Sequence, residues 1–308
     1  MVPLGSLAVG GALVLDGTVG EPPNRLHPVA WFGRAVPEGS FRRPVLVGGV
    51  LALVWPLAAA LAVGGTVVVA GWVDPLAAAV AGAVGLFVTT SLRRLLATVR
   101  RVVALTESDL AAARTELRAL AGRDATTLSP GEVRSAAVES LAENLADGLV
   151  APLLWYAVCA AGVGLAGAGA VGALAVGCGA AAWVKAVNTL DSMLGYRDRP
   201  VGRAPAHLDD AVMWVPARAS AVLLAVATGR PGALLGARSW LSAVPSPNSG
   251  WPMGTLAAAL DVRLEKPGVY VLNPGGRLPE ATATRTALVR TGVAGLLAYG
   301  LAAVIAWS

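Results

Sequence analysis

Three acidic residues recur at every fourth position of one predicted helix, a spacing that suits a divalent cation. Glu139, Glu143 and Asp147 fall within about 80° of one another on a helical wheel, and Asn144 lies on the same side. Carboxylate and amide oxygens are the ligands that Mg²⁺ takes when it also holds substrate phosphates. We therefore predict a metal site from the three carboxylates, with Asn144 as a substrate contact. A solvated acidic face is the alternative.

A second polar group follows the apolar run that ends at Val187. Asn188, Asp191 and Arg197 place an amide, a carboxylate and a guanidinium close together at a membrane exit. We predict Asp191 as a metal ligand and catalytic group, and Asn188 and Arg197 as substrate or phosphate contacts. A loop-and-cap role for Asp191 is the alternative.

Further candidates are spread along the chain. Asp209 and Asp210 are predicted catalytic carboxylates, and since neighbouring residues on a helix point apart, only one is expected to reach a given site. His27, which precedes a proline, is a candidate base or a structural hydrogen-bonding group. The remaining predicted substrate or phosphate contacts are Arg218, Asn248 and Lys266, the last two in stiff turns rich in Pro and Gly.

The composition places these residues beside a lipid bilayer. Hydrophobic residues make up 56% of the chain and charged residues 14%, against roughly 45–50% and about 25% in soluble proteins. The net charge of +5 does not indicate nucleic-acid binding, because the basic residues flank apolar runs and do not alternate with aromatic residues. The sequence has no P-loop, nucleophile elbow, zinc-ligand spacing or dinucleotide fingerprint.

Two apolar hairpins must position the candidate residues. Residues 44–90 contain one charge, Asp74, and are long enough for two spans of about 20 residues. The turn between the two spans is predicted at Gly71–Pro75, since Asp-Pro ends one helix and can open the next. Their flanking arginines predict that both ends of this hairpin face the cytoplasm. A capping box at Ser129–Glu132 opens a helix that runs into residues 149–166; a break at 167–169 and a return at 170–187 complete the second hairpin. A helix start is also expected near Asp109 and a stop near Gly122.

The remaining apolar segments are shorter. Residues 1–15 are too short to span reliably and predict an interfacial or re-entrant helix. Residues 212–227 contain Arg218, which is costly at mid-span, so a helix packed in the protein or lying at the interface is expected.

The predicted fold class is an all-α, polytopic integral membrane protein with two helical hairpins, a C-terminal span and cytoplasmic Gly/Pro-rich loops. We expect a single membrane-embedded domain, 1–308, whose parts are an N-terminal motif region (1–43), a membrane hairpin (44–92), a cytoplasmic helical segment (93–148), a second membrane hairpin (149–187), a cytoplasmic motif region (188–285, with an ambiguous apolar helix at 212–227) and a C-terminal span (286–307).

Six blocks of the sequence resemble, in order, the CobD/CbiB family, the adenosylcobinamide-phosphate synthases of cobalamin biosynthesis. The resemblance extends over roughly residues 10 to 280. The blocks are LDGTVGEPPNRLHPVAWFGR, ESLAENLADGLVAPLLWY, AVNTLDSMLGYR, HLDDAVMWVPAR, SPNSGWPM and RLEKPGVYVLN.

The resemblance implies an enzyme of the cell (inner) membrane. The apolar spans make it multi-pass, and the arginines that flank them predict an active site on the cytoplasmic side. Such an enzyme joins adenosylcobyric acid to aminopropanol phosphate through an amide bond, with ATP and Mg²⁺, and we expect it to act alongside other membrane-associated proteins of the pathway. On this basis we assign Mg²⁺ to Glu143, Asp147 and Asp191. Phosphate contacts are assigned to Arg197, Arg218 and Lys266, and the base to His27 or a remaining carboxylate.

Two other functions are compatible with the residues alone. Membrane prenyltransferases hold Mg²⁺ and a diphosphate with Asp-rich, Asn-containing motifs, and two Asn-x-x-Asp motifs occur at Asn144–Asp147 and Asn188–Asp191. A transporter or an assembly scaffold of the pathway is the non-enzymatic alternative. Polar motifs at mid-bilayer would favour transport, whereas the motifs here are predicted at one membrane face.

Overall fold

The computed structural model describes residues 3–20, 22–23, 25–37, 41–118, 120–122, 124–195 and 199–307. Nearly all regular structure is helical. The helices are α1 Leu4–Thr18, α2 Pro28–Ala35, α3 Pro44–Val73, α4 Pro75–Thr89, α5 Arg93–Ser108, α6 Leu110–Leu117, α7 Pro130–Leu145, α8 Ala151–Leu165, α9 Gly169–Leu194, α10 Arg203–Val212, α11 Trp214–Thr228, α12 Ala233–Arg238, α13 Gly250–Leu260 and α14 Ala281–Ile305.

Short elements connect some of these helices. A π-helical turn, Ala146–Val150, joins α7 to α8, and 3₁₀ turns occupy Pro200–Gly202 and Leu241–Ala243. An antiparallel pair of strands, β1 Leu264–Lys266 and β2 Tyr270–Leu272, places Lys266 opposite Tyr270.

The chain divides into two compact units. Unit 1 consists of Met1–Ser91, Asp147–Met213 and Ala298–Ser308, and unit 2 of Leu92–Ala146 and Trp214–Leu297. In unit 1, α9 packs against α3, α4 and α8, while α10 packs against both α3 and α9. In unit 2, α7 packs against α5, α6, α13 and β1, and α13 packs against α11 and α12.

Five helical segments in the described part of the chain are long and apolar enough to cross a membrane. These segments are Pro44–Val73, Pro75–Ser108, Pro130–Leu165, Gly169–Leu194 and Ala281–Ile305. The predicted all-α, polytopic membrane fold is thereby confirmed. The helix predicted at 212–227 is α11, which begins at Trp214 and ends at Thr228. The bent pair Pro200–Val212 and Trp214–Thr228 would supply a sixth crossing if it forms one span.

The first hairpin turns at Asp74, as its sequence predicts. The Asp74 carboxylate accepts a hydrogen bond from the Leu76 backbone N–H at 2.7 Å and so caps α4. Pro75 occupies the first turn of α4, where its missing N–H leaves no hydrogen bond unmade.

Local capping signals also set the predicted helix starts in unit 2. Ser129 and Glu132 form a complete capping box at the start of α7, with Glu132 Oε2 accepting from the Ser129 N–H at 2.7 Å. Asp109 caps α6 through the Ala112 N–H at 3.0 Å. Helix α6 ends at Leu117, earlier than the stop expected near Gly122.

The second hairpin breaks where its glycines predict but ends later than expected. Gly167 and Gly169 both adopt positive φ, which glycine tolerates. Helix α9 continues past Val187 to Leu194 because Leu190 and Leu194 are buried in an apolar cluster. Asn188 and Asp191 consequently lie on the last turns of a helix, not in a polar segment that follows it.

The C-terminal helix also begins earlier than the predicted span at 286–307. Helix α14 starts at Ala281 and includes two arginines. Arg285 pairs with Glu107 at 2.7 Å, and Arg290 donates to the Ala227 carbonyl at 3.1 Å. Since these partners satisfy the basic side chains, the charges do not end the helix.

The N-terminal segment forms the predicted helix, α1, and extends beyond Leu15. Its last turn contains Asp16, whose side chain is buried at 3% exposure. The helix has 15 residues, fewer than the roughly 20 that a span needs. An interfacial or re-entrant position for α1 remains a prediction.

Candidate functional site

Two separate sequence blocks meet in unit 1 at the end of α9. Asn188 and Asp191 lie on α9, while Asp209 and Asp210 lie on α10, and we call these four residues the acidic cluster. The Asn188 Nδ2 atom is 3.4 Å from Asp209 Oδ1. The carboxylates of Asp191 and Asp210 are close enough for their negative charges to repel each other. This arrangement concentrates oxygen ligands and negative charge in one place.

An apolar cluster beneath these residues holds the end of α9 in position. Leu190 and Leu194 pack with Val36, Leu51 and Val201, all of which are buried. A Cβ atom on Gly202 would strike the Leu194 carbonyl oxygen, so the 3₁₀ turn lies directly against the end of α9. These contacts determine where α10 begins and therefore where Asp209 and Asp210 lie.

The far end of α10 is held by α8. The Trp155 indole N–H donates to the Val212 carbonyl at 3.3 Å, within unit 1. Helix α10 is therefore attached at both ends, which limits how far its carboxylates can move relative to α9.

The acidic cluster fits a Mg²⁺ ion that is shared between protein carboxylates and a substrate phosphate. Its donors are carboxylate and amide oxygens, the hard ligands that Mg²⁺ prefers. Within the described ranges, no three His, Cys, Asp or Glu side chains group closely enough to form a metal cage. Mg²⁺ usually needs only one or two carboxylates when phosphate oxygens and water complete its octahedron. Asp191 and Asp210 would therefore hold the ion together with a bound phosphate.

His27 serves as a helix cap. It is buried at 8% exposure, and its Nδ1 atom accepts a hydrogen bond from the Val29 N–H at 3.2 Å at the start of α2. An accepting Nδ1 leaves the proton of the neutral ring on Nε2. That tautomer has no free basic nitrogen for a substrate proton, so the contact supports the structural alternative over the base.

A cavity of about 210 Å³ lies among α2, α3, α4 and α9 in unit 1. Its walls are apolar except for Thr89, Thr189 and Lys185. None of these three side chains was among the predicted site residues. The available signal was Lys185 itself, since a lysine within an apolar span is expensive and is by default a functional hypothesis.

Unit 2 brings together two of the predicted anion contacts, Arg218 and Asn248. The Arg218 Nη1 atom donates to Asn248 Oδ1 at 3.2 Å and to the Trp214 carbonyl at 2.7 Å. The guanidinium carbon lies 4.0 Å from the Trp214 ring centroid and 5.3 Å from that of Trp251, within cation–π range. These contacts orient a planar cation that suits phosphate or carboxylate oxygens.

Glu139 belongs to a buried network in unit 2. Its carboxylate accepts hydrogen bonds from the Tyr270 hydroxyl at 2.7 Å and the Ser135 hydroxyl at 2.9 Å. The Glu265 N–H donates to Ser135 Oγ at 2.8 Å, which fastens β1 to α7. Glu139 has 0% exposure, so the alternative of a solvated acidic face is wrong at this position. The network also orients the strand that carries Lys266.

The other acidic residues of this helix are divided between the units. Glu143 and Asn144 are half-buried on the last turn of α7 in unit 2, and Asn144 Nδ2 donates to the Ser140 carbonyl at 2.9 Å. Asp147 is half-buried in the π-helical turn, in unit 1. Such turns are frequent at functional sites. In this turn the Gly148 carbonyl accepts a hydrogen bond from the Ser91 N–H at 2.9 Å.

Arg197, a predicted phosphate contact, lies outside the described residues.

The hydrogen bonds of Glu139 predict opposite outcomes for two substitutions. Glu139→Gln keeps an acceptor for Tyr270, so activity should stay within about threefold and stability within about 1 kcal/mol. Tyr270→Phe removes a donor from a buried carboxylate and should cost about 1–3 kcal/mol. Thermal unfolding of the detergent-purified variants measures the stability changes, and initial rates measure the activity.

The double variant supplies the control for this network. Adding Tyr270→Phe to Glu139→Gln should cost less than Tyr270→Phe alone, because a neutral amide tolerates the lost donor better than a carboxylate does. If Glu139 is instead a metal ligand, Glu139→Gln will abolish activity at unchanged stability, and Tyr270→Phe will be tolerated.

Comparison with known proteins agrees with the motif blocks. A family model described as CobD/CbiB protein matches residues 9–292. The probable cobalamin biosynthesis protein CobD of Methanothrix thermoacetophila is 37% identical over a 312-residue alignment that covers 96% of this chain and 94% of the relative. The cobalamin biosynthesis proteins CobD of Dehalococcoides mccartyi and Klebsiella pneumoniae are both 34% identical; the alignments cover 90% and 84% of this chain and 90% and 82% of the relatives.

No solved structure matches the chain. The family model spans all six motif blocks in full, since they lie between residues 15 and 273 and the match covers residues 9–292. The resemblance predicted from those blocks is confirmed, and the chain belongs to the CobD/CbiB family.

Proposed function

We propose that this protein is an adenosylcobinamide-phosphate synthase of cobalamin biosynthesis, which joins adenosylcobyric acid to aminopropanol phosphate through an amide bond at the expense of ATP. The names of its relatives support the pathway. The observation that carries the reaction is the acidic cluster, in which two sequence blocks contribute Asn188, Asp191, Asp209 and Asp210 to one place at the end of α9. The family match favours this function over the prenyltransferase-like and transporter alternatives.

A carboxylate and an ammonium ion do not condense unaided in water, so the reaction needs an activated acid. The substrate carboxylate attacks a phosphorus atom of ATP, and ADP or pyrophosphate leaves. The amine nitrogen then attacks the acyl carbon, releasing phosphate or AMP, and loses a proton. Mg²⁺, when bound, would neutralise phosphate charge in the first step.

The residues of the acidic cluster form two pairs with separate tasks in this scheme. Asp191 on α9 and Asp210 on α10, whose charges repel each other, would hold the cation together with its phosphate. Asp209 points away from Asp210 by about 100° on α10, and Asn188 orients its carboxylate. Asp209 is therefore the proposed base for the ammonium proton, in place of His27.

The other predicted contacts are not part of the acidic cluster. Arg218, Asn248 and Lys266 of unit 2 supply groups that bind anions. Glu143 and Asp147 remain proposed metal ligands from α7 and the π-helical turn. The cytoplasmic face of the cell membrane is the proposed location, and association with other membrane-bound proteins of the pathway remains a prediction.

A direct synthesis assay tests the function. Detergent-purified protein is incubated with adenosylcobyric acid, aminopropanol phosphate, ATP and Mg²⁺, and the amide product is detected by mass. We expect product only with all four components. Omission of ATP, or its replacement by an analogue that cannot transfer phosphate, should abolish it.

Arg230→Met is the matched control because Arg230 is exposed and outside the proposed machinery. It should make product at the wild-type rate. Absence of the amide from folded wild-type protein, with every component present, would refute the proposed reaction.

A further inference from the structure

The cavity among α2, α3, α4 and α9 has a lining that matches one kind of molecule. It lies wholly in unit 1, and one of its walls is α9, the helix that carries Asn188 and Asp191. Most of its wall comes from apolar side chains such as Phe32, Val63 and Ala182. We infer that this cavity binds the phosphorylated amine substrate, with Lys185 holding the phosphate group. The inference rests on the proposed function, whose small substrate it identifies with this site.

Lys185 is the cation of the cavity. The whole chain has only two lysines, Lys185 and Lys266, and Lys185 lies within a segment apolar enough to cross a membrane. A lysine within such a segment is costly and usually faces the protein interior or a polar pathway. Its ammonium group carries three donors, so it can bind a phosphate oxygen and still keep a partner within the protein. Lysine binds phosphate as a compact point charge.

The two threonines provide acceptors for the other end of the ligand. The Thr189 hydroxyl donates to the Lys185 carbonyl at 2.7 Å, and the Thr89 hydroxyl donates to the Leu86 carbonyl at 2.9 Å. Because each hydroxyl uses its proton on its own helix, its oxygen lone pairs point elsewhere and can accept from an ammonium group. The lining therefore offers a cation, two neutral acceptors and apolar walls for a short carbon chain.

The volume selects the smaller of the two substrates. About 210 Å³ corresponds to roughly seven water molecules at about 30 Å³ each. Such a space can hold a short phosphorylated amine, and it lies below the roughly 300 Å³ at which pockets for drug-sized ligands begin. The volume therefore favours the smaller substrate as the occupant.

A phosphate on a short apolar chain could come from the substrate or from the headgroup region of a lipid, and lysine labelling separates the two. Detergent-purified protein is treated with an acetylating reagent, without ATP, and acetylation of Lys185 and Lys266 is followed by peptide mass spectrometry. Parallel samples contain aminopropanol phosphate, unphosphorylated aminopropanol, or phosphatidylglycerol micelles. The unphosphorylated amine consumes the reagent to the same extent and controls for its depletion.

We expect aminopropanol phosphate to slow acetylation of Lys185 about fivefold or more relative to unphosphorylated aminopropanol. An equal rate with both amines, or protection by the lipid alone, would overturn the inference. This readout does not depend on turnover. If the amide is never formed yet Lys185 is protected, the reaction is wrong and the binding site stands. If the amide is formed and Lys185 is not protected, the reaction stands and the site is wrong.

A kinetic arm connects the site to turnover. Lys185→Met should raise the KM for aminopropanol phosphate about tenfold to a hundredfold, as expected for loss of a charged contact. The KM for adenosylcobyric acid should not change. Arg230→Met should leave both constants unchanged, and a Lys185→Met enzyme with a normal KM for the phosphorylated amine would contradict the assignment.

Discussion

Replacing Asp191 with asparagine should reduce amide synthesis by at least about a hundredfold while slightly increasing the stability of the folded protein. The loss follows from the proposed role of Asp191 in holding the cation and its phosphate, since even the outer partners of metal ligands are worth 10–100-fold. The gain follows first from burial, which disfavours the charged carboxylate of Asp191, and second from Asp210, whose carboxylate repels it. Removing one charge relieves that repulsion.

The combination of lost activity and retained or increased stability separates a functional carboxylate from a structural one. A helix-capping aspartate would keep both the stability of the protein and its activity on this change, because asparagine caps a helix as well as aspartate does. Initial rates and thermal unfolding, measured on the same detergent preparation, distinguish these outcomes. Asp210→Asn should reduce the rate as Asp191→Asn does, but it should stabilise the protein less, because it also removes the attraction between Asp210 and His207.

Ser192→Ala is the matched control for this prediction. Ser192 is the next residue of α9, is exposed, and donates only to the Asn188 carbonyl of its own helix at 2.9 Å among the contacts of the described residues. It should leave rate and stability close to those of the wild type. An Asp191→Asn protein that is fully active, or inactive only because it is unfolded, would remove Asp191 from the proposed site.

Local signals were sufficient wherever a few consecutive residues determine the backbone. The capping box at Ser129 and Glu132 and the Asp74–Pro75 turn were predicted because each needs only neighbouring side chains. The end of α9 could not be predicted in this way. Polar residues after Val187 suggested an exit from the helix, but burial of Leu190 against α2 and α3 residues continues it.

Long-range partners explain most of the differences at the candidate site. The wheel correctly placed Glu139 among polar residues, but its hydrogen-bond donor, Tyr270, lies 131 positions later in the chain. The meeting of Asn188 with Asp209 could be expected from their chemistry but not located, because the 3₁₀ turn between them sets the distance. The sequence marks Lys185 as an unusual residue of an apolar span, but only the packed helices show that it lines a cavity.

The second prediction concerns Gly48 on α3, because its contact helps to hold the α10 residues of the acidic cluster beside those of α9. A Cβ atom on Gly48 would collide with the Val201 carbonyl oxygen, a backbone atom that cannot move aside alone. Gly48→Ala should therefore push the 3₁₀ turn and α10 away from α3 and α9. We expect a loss of about 1–3 kcal/mol in stability. Activity should fall by about tenfold to a hundredfold, because displacing reactive groups by about 1 Å is costly.

The adjacent glycine provides the control that makes this prediction specific. A Cβ atom on Gly49 would meet no described atom within 4 Å, so Gly49→Ala should be neutral or stabilise α3 by up to about 1 kcal/mol. Both substitutions add one methyl group to the same helix and differ only in what that methyl group meets. Thermal unfolding and initial rates of the pair should therefore diverge. Equal behaviour would mean that the contact between α3 and the 3₁₀ turn does not position Asp209 and Asp210, and that the acidic cluster is held by α9 and α8 alone.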